Sequence, residues 1–143
     1  MPQTVVEIQT IGENSLAVGS SGPRTVTIDR SKEAGGQGLG FNGGELLLLA
    51  IGGCYSNDLF REAAKLGIKI TSAKVQVRAE WGGNPVRAQN VSFSVAVGAE
   101  ASDERIRELV HHTDRIAEIP NSLRLGTAVK LAEVLVIPDA KTI

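Results

Sequence analysis

The chain has 143 residues, enough for one domain, taken here as 1–143, to bury a core without disulfides or metal. Fifteen basic residues stand against sixteen acidic ones, a net charge of −1 with no run of like charge, which excludes the basic face of a nucleic-acid binder.

In chain order, Val5 to Ile11, Ser15 to Gly19 and Arg24 to Arg30 are short β-prone runs. They are separated by the turn compositions Gly12-Glu13-Asn14 and Ser20-Ser21-Gly22-Pro23, so an antiparallel three-stranded start is expected. The segment Lys32 to Gly44 holds six glycines but no Gly-Lys-Ser/Thr or dinucleotide spacing, and reads as a mobile connector. A long helix then runs to Gly67. Asn42 caps it, Glu45 three residues on closes a capping box, and Gly67 suits the left-handed position past its end. Leu46 to Ile51 is apolar all round and is expected to be buried.

After the helix, Val75, Val77, Ala79 and Trp81 alternate with charged and polar residues, and Val91, Phe93, Val95 and Val97 do the same beyond Gly82-Gly83-Asn84-Pro85. That pattern predicts an antiparallel ribbon with one apolar face. Ser102 caps a second helix with Ile106, Leu109, Val110, Thr113, Ile116 and Ala117 inward, ending at Pro120. One short turn over Asn121 to Leu125, closed by Gly126, leads to a final strand from Thr127 to Ile137 with Val129 and Leu131 facing in. The expected class is α+β, in the order β-β-β-α-β-β-α-β with a long central helix.

The only cysteine, Cys54, lies on that helix behind Gly52 and Gly53. Each mid-helix glycine costs roughly 1 kcal/mol relative to alanine, so the pair suits the close approach of another backbone, naturally a second helix. A cysteine here reads either as a small buried hydrophobe or as a nucleophile. Nine residues into the helix, it is far from the N-terminal dipole that favours a thiolate, and Asp58 at i+4 opposes one, so reactivity needs a cation from elsewhere in the fold. Arg24 and Arg30 are the cations of the N-terminal strands and read either as solvated side chains or as groups approaching Cys54. Glu45 and Cys54 are nine residues apart, about 900° of helix, hence on opposite faces. Glu45 either only closes its capping box, or serves the cysteine of a partner chain, or meets Cys54 through a break of the helix at Gly52-Gly53. Adjacent His111 and His112 point about 100° apart and cannot chelate one metal, so no metal and no cofactor are expected. Both read as surface residues, Trp81 as a core edge, and Asp58 and Arg61 as local charges.

The run Glu-Leu-Leu-Leu-Leu-Ala-Ile-Gly-Gly-Cys, followed by a strand pair, an amphipathic helix and a Pro-Asn-Ser turn, resembles the OsmC/Ohr family, the osmotically inducible protein C and organic hydroperoxide resistance proteins. The resemblance covers roughly Gly35 to Val136. It implies an intertwined α+β homodimer that reduces hydroperoxides with a helix cysteine, a helix-start glutamate, an arginine from the first hairpin and a second cysteine in a Cys-Pro motif. Cys54 matches the first cysteine and Glu45 the glutamate. This chain departs from the pattern twice: Ile119-Pro120 stands where the family has Cys-Pro, and the arginine falls at or near Glu13.

Two functions follow from that resemblance. One is a thiol peroxidase in which Cys54 attacks a small hydroperoxide and the sulfenic acid is reduced by an external thiol. The other is a non-catalytic dimer holding a small apolar ligand or partner in its cleft. The first residues, Met-Pro-Gln-Thr-Val-Val-Glu, lack the regions of a signal peptide, the longest apolar stretch is too short for a bilayer, and a lone cysteine suits a reducing compartment. A cytoplasmic protein with no membrane partner is expected.

Overall fold

The core of the molecule is arranged along one helix, α1 (Gly43–Lys65), in a computed structural model that describes residues 1–138. Its ends follow the sequence: Asn42 Oδ1 accepts from Glu45 N at 2.8 Å while Asn42 N donates to Glu45 Oε1 at 3.0 Å. Gly67 takes φ +66°, the left-handed conformation that stops a helix. The helix is continuous through Gly52 and Gly53.

Before it come β1 (Glu7–Thr10), β2 (Ala17–Ser21) and β3 (Arg24–Ile28), an antiparallel sheet in the order β1-β2-β3. After it, β4 (Lys69–Gly82) and β5 (Arg87–Glu100) pair antiparallel as a separate two-stranded sheet, with Val75 opposite Val95 and Val77 opposite Phe93. Then follow α2 (Asp103–Ile116), capped by Ser102, and α3 (Glu118–Arg124). The core lies where α1, α2 and the apolar face of the β4–β5 ribbon meet: Tyr55, Leu59, Ala63, Ile68, Leu109 and Ala117 are buried together, with Phe93, Val95 and Val97 against them. Fully burying a side chain such as Leu59 stabilises by roughly 1.5–3 kcal/mol. Tyr55 adds a hydroxyl that donates to Val110 O at 2.9 Å and a ring 5.0 Å from Phe93.

The α+β class holds, and the structure corrects five details of the sequence reading. The connector over 32–44 is held: buried Asp29 accepts from Ser15 Oγ and from the N–H groups of Arg30, Gln37 and Leu39, at 2.8 to 3.2 Å. Gly40 passes so close to the Thr27 carbonyl that a Cβ there would collide with it. The neighbour that needs Gly52 is a strand, since a Cβ on Gly52 would lie 3.1 Å from Val77 Cγ2, whereas Gly53 faces open space. Leu46 to Leu48 are half-buried and Leu49 is exposed, because the single chain covers only one side of that turn.

Pro120 sits in the first turn of α3, where the N–H it lacks would have no helical partner, so the helices meet at Ala117 instead. The last correction concerns the final strand. Over 127–137 no strand forms, and Val129 and Leu131 are 96 % and 83 % exposed. A strand exists by pairing its backbone with a neighbouring edge, and among the described residues no edge is paired with this segment.

Candidate functional site

Cys54 projects from the face of α1 that also carries Leu47, Ile51 and Asp58, a spacing of three and four residues that keeps them in line. Its side chain is half-buried and unbridged. Two groups address the sulfur. Ile119 N, in the first turn of α3, donates to Sγ at 3.5 Å, and Sγ lies 3.9 Å from Asp58 Oδ2. Position 119 is where the resemblance expects a second thiol, so the fold carries that position to the sulfur across 65 residues of chain. One turn before Cys54 on α1, a cavity of about 350 Å³ is lined mainly by apolar side chains, among them Leu47, Ile51, Val91, Phe93, Pro120 and Leu123; Cys54 itself is not in its wall.

Behind the sulfur, charge is organised along α1. Asp58 is 6 % exposed and its Oδ1 lies 3.1 Å from Arg61 Nη1. Glu62, equally buried, receives Lys65 Nζ at 2.8 Å, His112 Nε2 at 2.8 Å and Arg61 Nε at 3.1 Å. Lys65 first, then His112 and Arg61, hold the Glu62 carboxyl down at about 2, outweighing the cost of burial. Glu62 in turn, with Asp58, pushes the Arg61 guanidinium up.

Of the four residues named from sequence, only Cys54 stands at this site within the chain. Glu45 is engaged in its capping box on the far side of an unbroken helix. Arg24 is exposed at the start of β3 and Arg30 is exposed beyond its end, and neither side chain bonds to Cys54 among the described residues. Arg30 and Glu45 do border one cavity of about 640 Å³ at the start of α1, together with Trp81. Trp81 itself is half exposed, with its ring so close to Gly44 that a Cβ there would lie 2.8 Å from Cζ2.

Asp58, Glu62 and His112 were missed as members of the site, although the signal existed. Two acids four residues apart fall in line with Cys54 on a face that also carries Tyr55 and Leu59, and acids on an apolar face require partners. Among the described residues no cluster of His, Cys, Asp and Glu is arranged to hold a metal, and no helix is long and apolar enough to cross a membrane.

The fold and the sulfur's place in it define a class of small α+β proteins built around a cysteine-bearing central helix. The OsmC-like protein family model matches residues 35–132, and this chain belongs to that family. No curated protein matches the chain. Among solved structures it is similar to an OsmC-like protein from Mycoplasma pneumoniae, with a TM-score of 0.75, 17 % identity and 86 % of this chain and 88 % of that one covered. It is also similar to an organic hydroperoxide resistance protein from Elizabethkingia anophelis, with a TM-score of 0.60, 17 % identity and 87 % and 89 % covered. A third similar structure is the organic hydroperoxide resistance protein OsmC from Legionella pneumophila, with a TM-score of 0.60, 16 % identity and 87 % and 90 % covered.

Proposed function

We propose that this protein is a cytoplasmic thiol-dependent hydroperoxide reductase that works with one cysteine and an external thiol. The observation that carries the reading is the placement of Cys54: its sulfur is half-buried and receives the backbone N–H of Ile119, and the neighbouring Ile51 and Pro120 border an apolar cavity suited to the organic part of a hydroperoxide. Membership of the OsmC-like family and the hydroperoxide-resistance names of two similar structures support it. The Cys54 thiol displaces the distal peroxide oxygen's partner, leaving a sulfenic acid and an alcohol, and an outside thiol returns the sulfur to its starting state.

A homodimer is part of the same proposal. Leu49, Phe60 and the apolar residues of 127–138 are exposed in the single chain, and a second copy of this chain supplies both cover and strand edges. In such a dimer Glu45 or an arginine, Arg24 or Arg30, reaches the partner's sulfur.

A second reading is favoured by one observation, that the ionised group beside Sγ is a carboxylate and not a cation. It is a non-catalytic dimer that holds a small apolar ligand. Intact-mass spectrometry after titration with an organic hydroperoxide separates the two. One to three oxygens added to the monomer mass, absent in Cys54→Ser, is the expected result; an unmodified thiol or a covalent dimer overturns the reductase.

A further inference from the structure

Asp58 turns its two carboxylate oxygens to different partners. Oδ2 lies 3.9 Å from Cys54 Sγ, within reach of a thiol hydrogen, and Oδ1 lies 3.1 Å from Arg61 Nη1. A buried carboxylate stays ionised only where hydrogen bonds and a countercharge replace water, and Arg61, itself held by Glu62, is that countercharge. On its other side the sulfur accepts the Ile119 N–H at 3.5 Å, which leaves the thiol hydrogen to point at Asp58. The sulfur is therefore oriented by two fixed groups, one giving a proton and one able to take it.

We propose that Asp58 is a catalytic residue of the hydroperoxide reduction, carrying the Cys54 thiol proton to the alkoxide that leaves. This rests on the function proposed above. The Sγ–H bond breaks toward Oδ2 as the sulfur electron pair attacks the terminal peroxide oxygen. The Sγ–O bond forms and the O–O bond breaks, so sulfur is oxidised by two electrons and the peroxide is reduced. The terminal oxygen keeps its own hydrogen and becomes the sulfenic acid, while the departing alkoxide takes the proton from Asp58 and leaves as an alcohol. Asp58 ends as the carboxylate it began as. Negative charges on sulfur and on Oδ2 repel each other, so proton transfer accompanies attack and does not precede it. Arg61 is a positioning residue that keeps Oδ2 turned to the sulfur.

Two electrophiles test the proposal on the full chain. An organic hydroperoxide expels an alkoxide that needs a proton; iodoacetamide expels iodide, which needs none. In Asp58→Asn the peroxide reaction, followed by intact mass, is expected to slow by about 10²-fold, the loss of one positioned proton transfer. Alkylation is expected to fall by a smaller factor, because it shares the loss of the thiol proton but expels an iodide that needs none. Asp58→Glu is expected to recover part of the peroxide rate. Both rates rising together in Asp58→Asn shows a carboxylate that only restrains the sulfur, and both falling by the same factor shows one that does nothing for the leaving group; either overturns the proposal.

Should the asparagine variant fail to fold, the wild-type protein decides. Proton transfer during attack predicts a larger solvent deuterium isotope effect on the peroxide reaction than on alkylation, and equal effects overturn it. A wild-type chain that gains no oxygen overturns the reductase itself, an outcome distinct from a reactive wild type whose peroxide rate ignores Asp58→Asn.

Discussion

Ile119→Cys tests the geometry of the sulfur's surroundings. Ile119 N lies 3.5 Å from Cys54 Sγ. Adding the N–Cα bond of about 1.46 Å puts the Cα of residue 119 within about 5 Å of the sulfur. A side chain on that Cα is placed to meet the spacing a disulfide requires. The two positions are 65 residues apart, and closing a loop of that size removes unfolded-chain entropy worth about 4 kcal/mol. After one equivalent of an organic hydroperoxide, the variant is expected to lose two hydrogens from the monomer mass, where the wild type gains oxygen. Excess peroxide is then expected to spare it from irreversible oxidation, because the sulfenic acid is captured before a second peroxide arrives. Urea unfolding is expected to show a gain approaching 4 kcal/mol that disappears with dithiothreitol. Oxygen added at Cys54 while the introduced thiol remains open to alkylation refutes the geometry, as does a disulfide that joins two chains.

Tyr55 is the single tyrosine of the chain, so phenolate absorbance reports it alone. Burial first, and the charge of Asp114 second, push its hydroxyl up to about 12, so the folded protein is expected to titrate there and the urea-unfolded chain near 10. The stability this contributes is intact below the unfolded value and lost as pH rises through about 12. At the acid end the sign reverses: Glu62 contributes stability above its ordinary 4.5 that is lost as pH falls through about 2, and Glu62→Gln is expected to flatten that limb in pH-dependent urea melts. Asp29 acts in the same direction, because four hydrogen bonds outweigh the burial that raises its carboxyl and hold it below its ordinary value. Leu59→Ala, at a site with 0 % exposure, is expected to cost about 2–5 kcal/mol, while Leu125→Ala, 86 % exposed, stays within about 0.5 kcal/mol of wild type.

The ends of α1 were legible because capping is local: Asn42, Glu45 and Gly67 act within a turn of themselves. The β4–β5 ribbon and the buried face of α2 were legible because their periods of two and of 3.6 residues are written in the apolar residues. The Asp29 knot was not, because its donors come from Ser15, Gln37 and Leu39, brought together only by the folded path, and six glycines in a row of thirteen look like slack until those bonds are seen. The segment over 127–137 misled for the opposite reason. Its residues have strand character, but a strand also needs an edge, and pattern says nothing of whether one is within reach. At the site, Cys54 stood out as the lone thiol, whereas Asp58 was set aside as an ordinary helix charge because burial of that face depends on α2 arriving from beyond residue 102.

The N–H that reaches Cys54 belongs to the main chain, so it is specified by the path of the polypeptide and not by the letter at position 119. Every residue except proline carries the same donor. Isoleucine there can give way to a small, charged or sulfur-bearing side chain and the sulfur keeps its neighbour. The angle of the corner is set elsewhere, by buried Ala117 with its extended backbone between α2 and α3, and by Pro120, buried as α3 begins. For this half of the site an inserted or deleted residue at the corner is a graver change than almost any exchange of one amino acid for another.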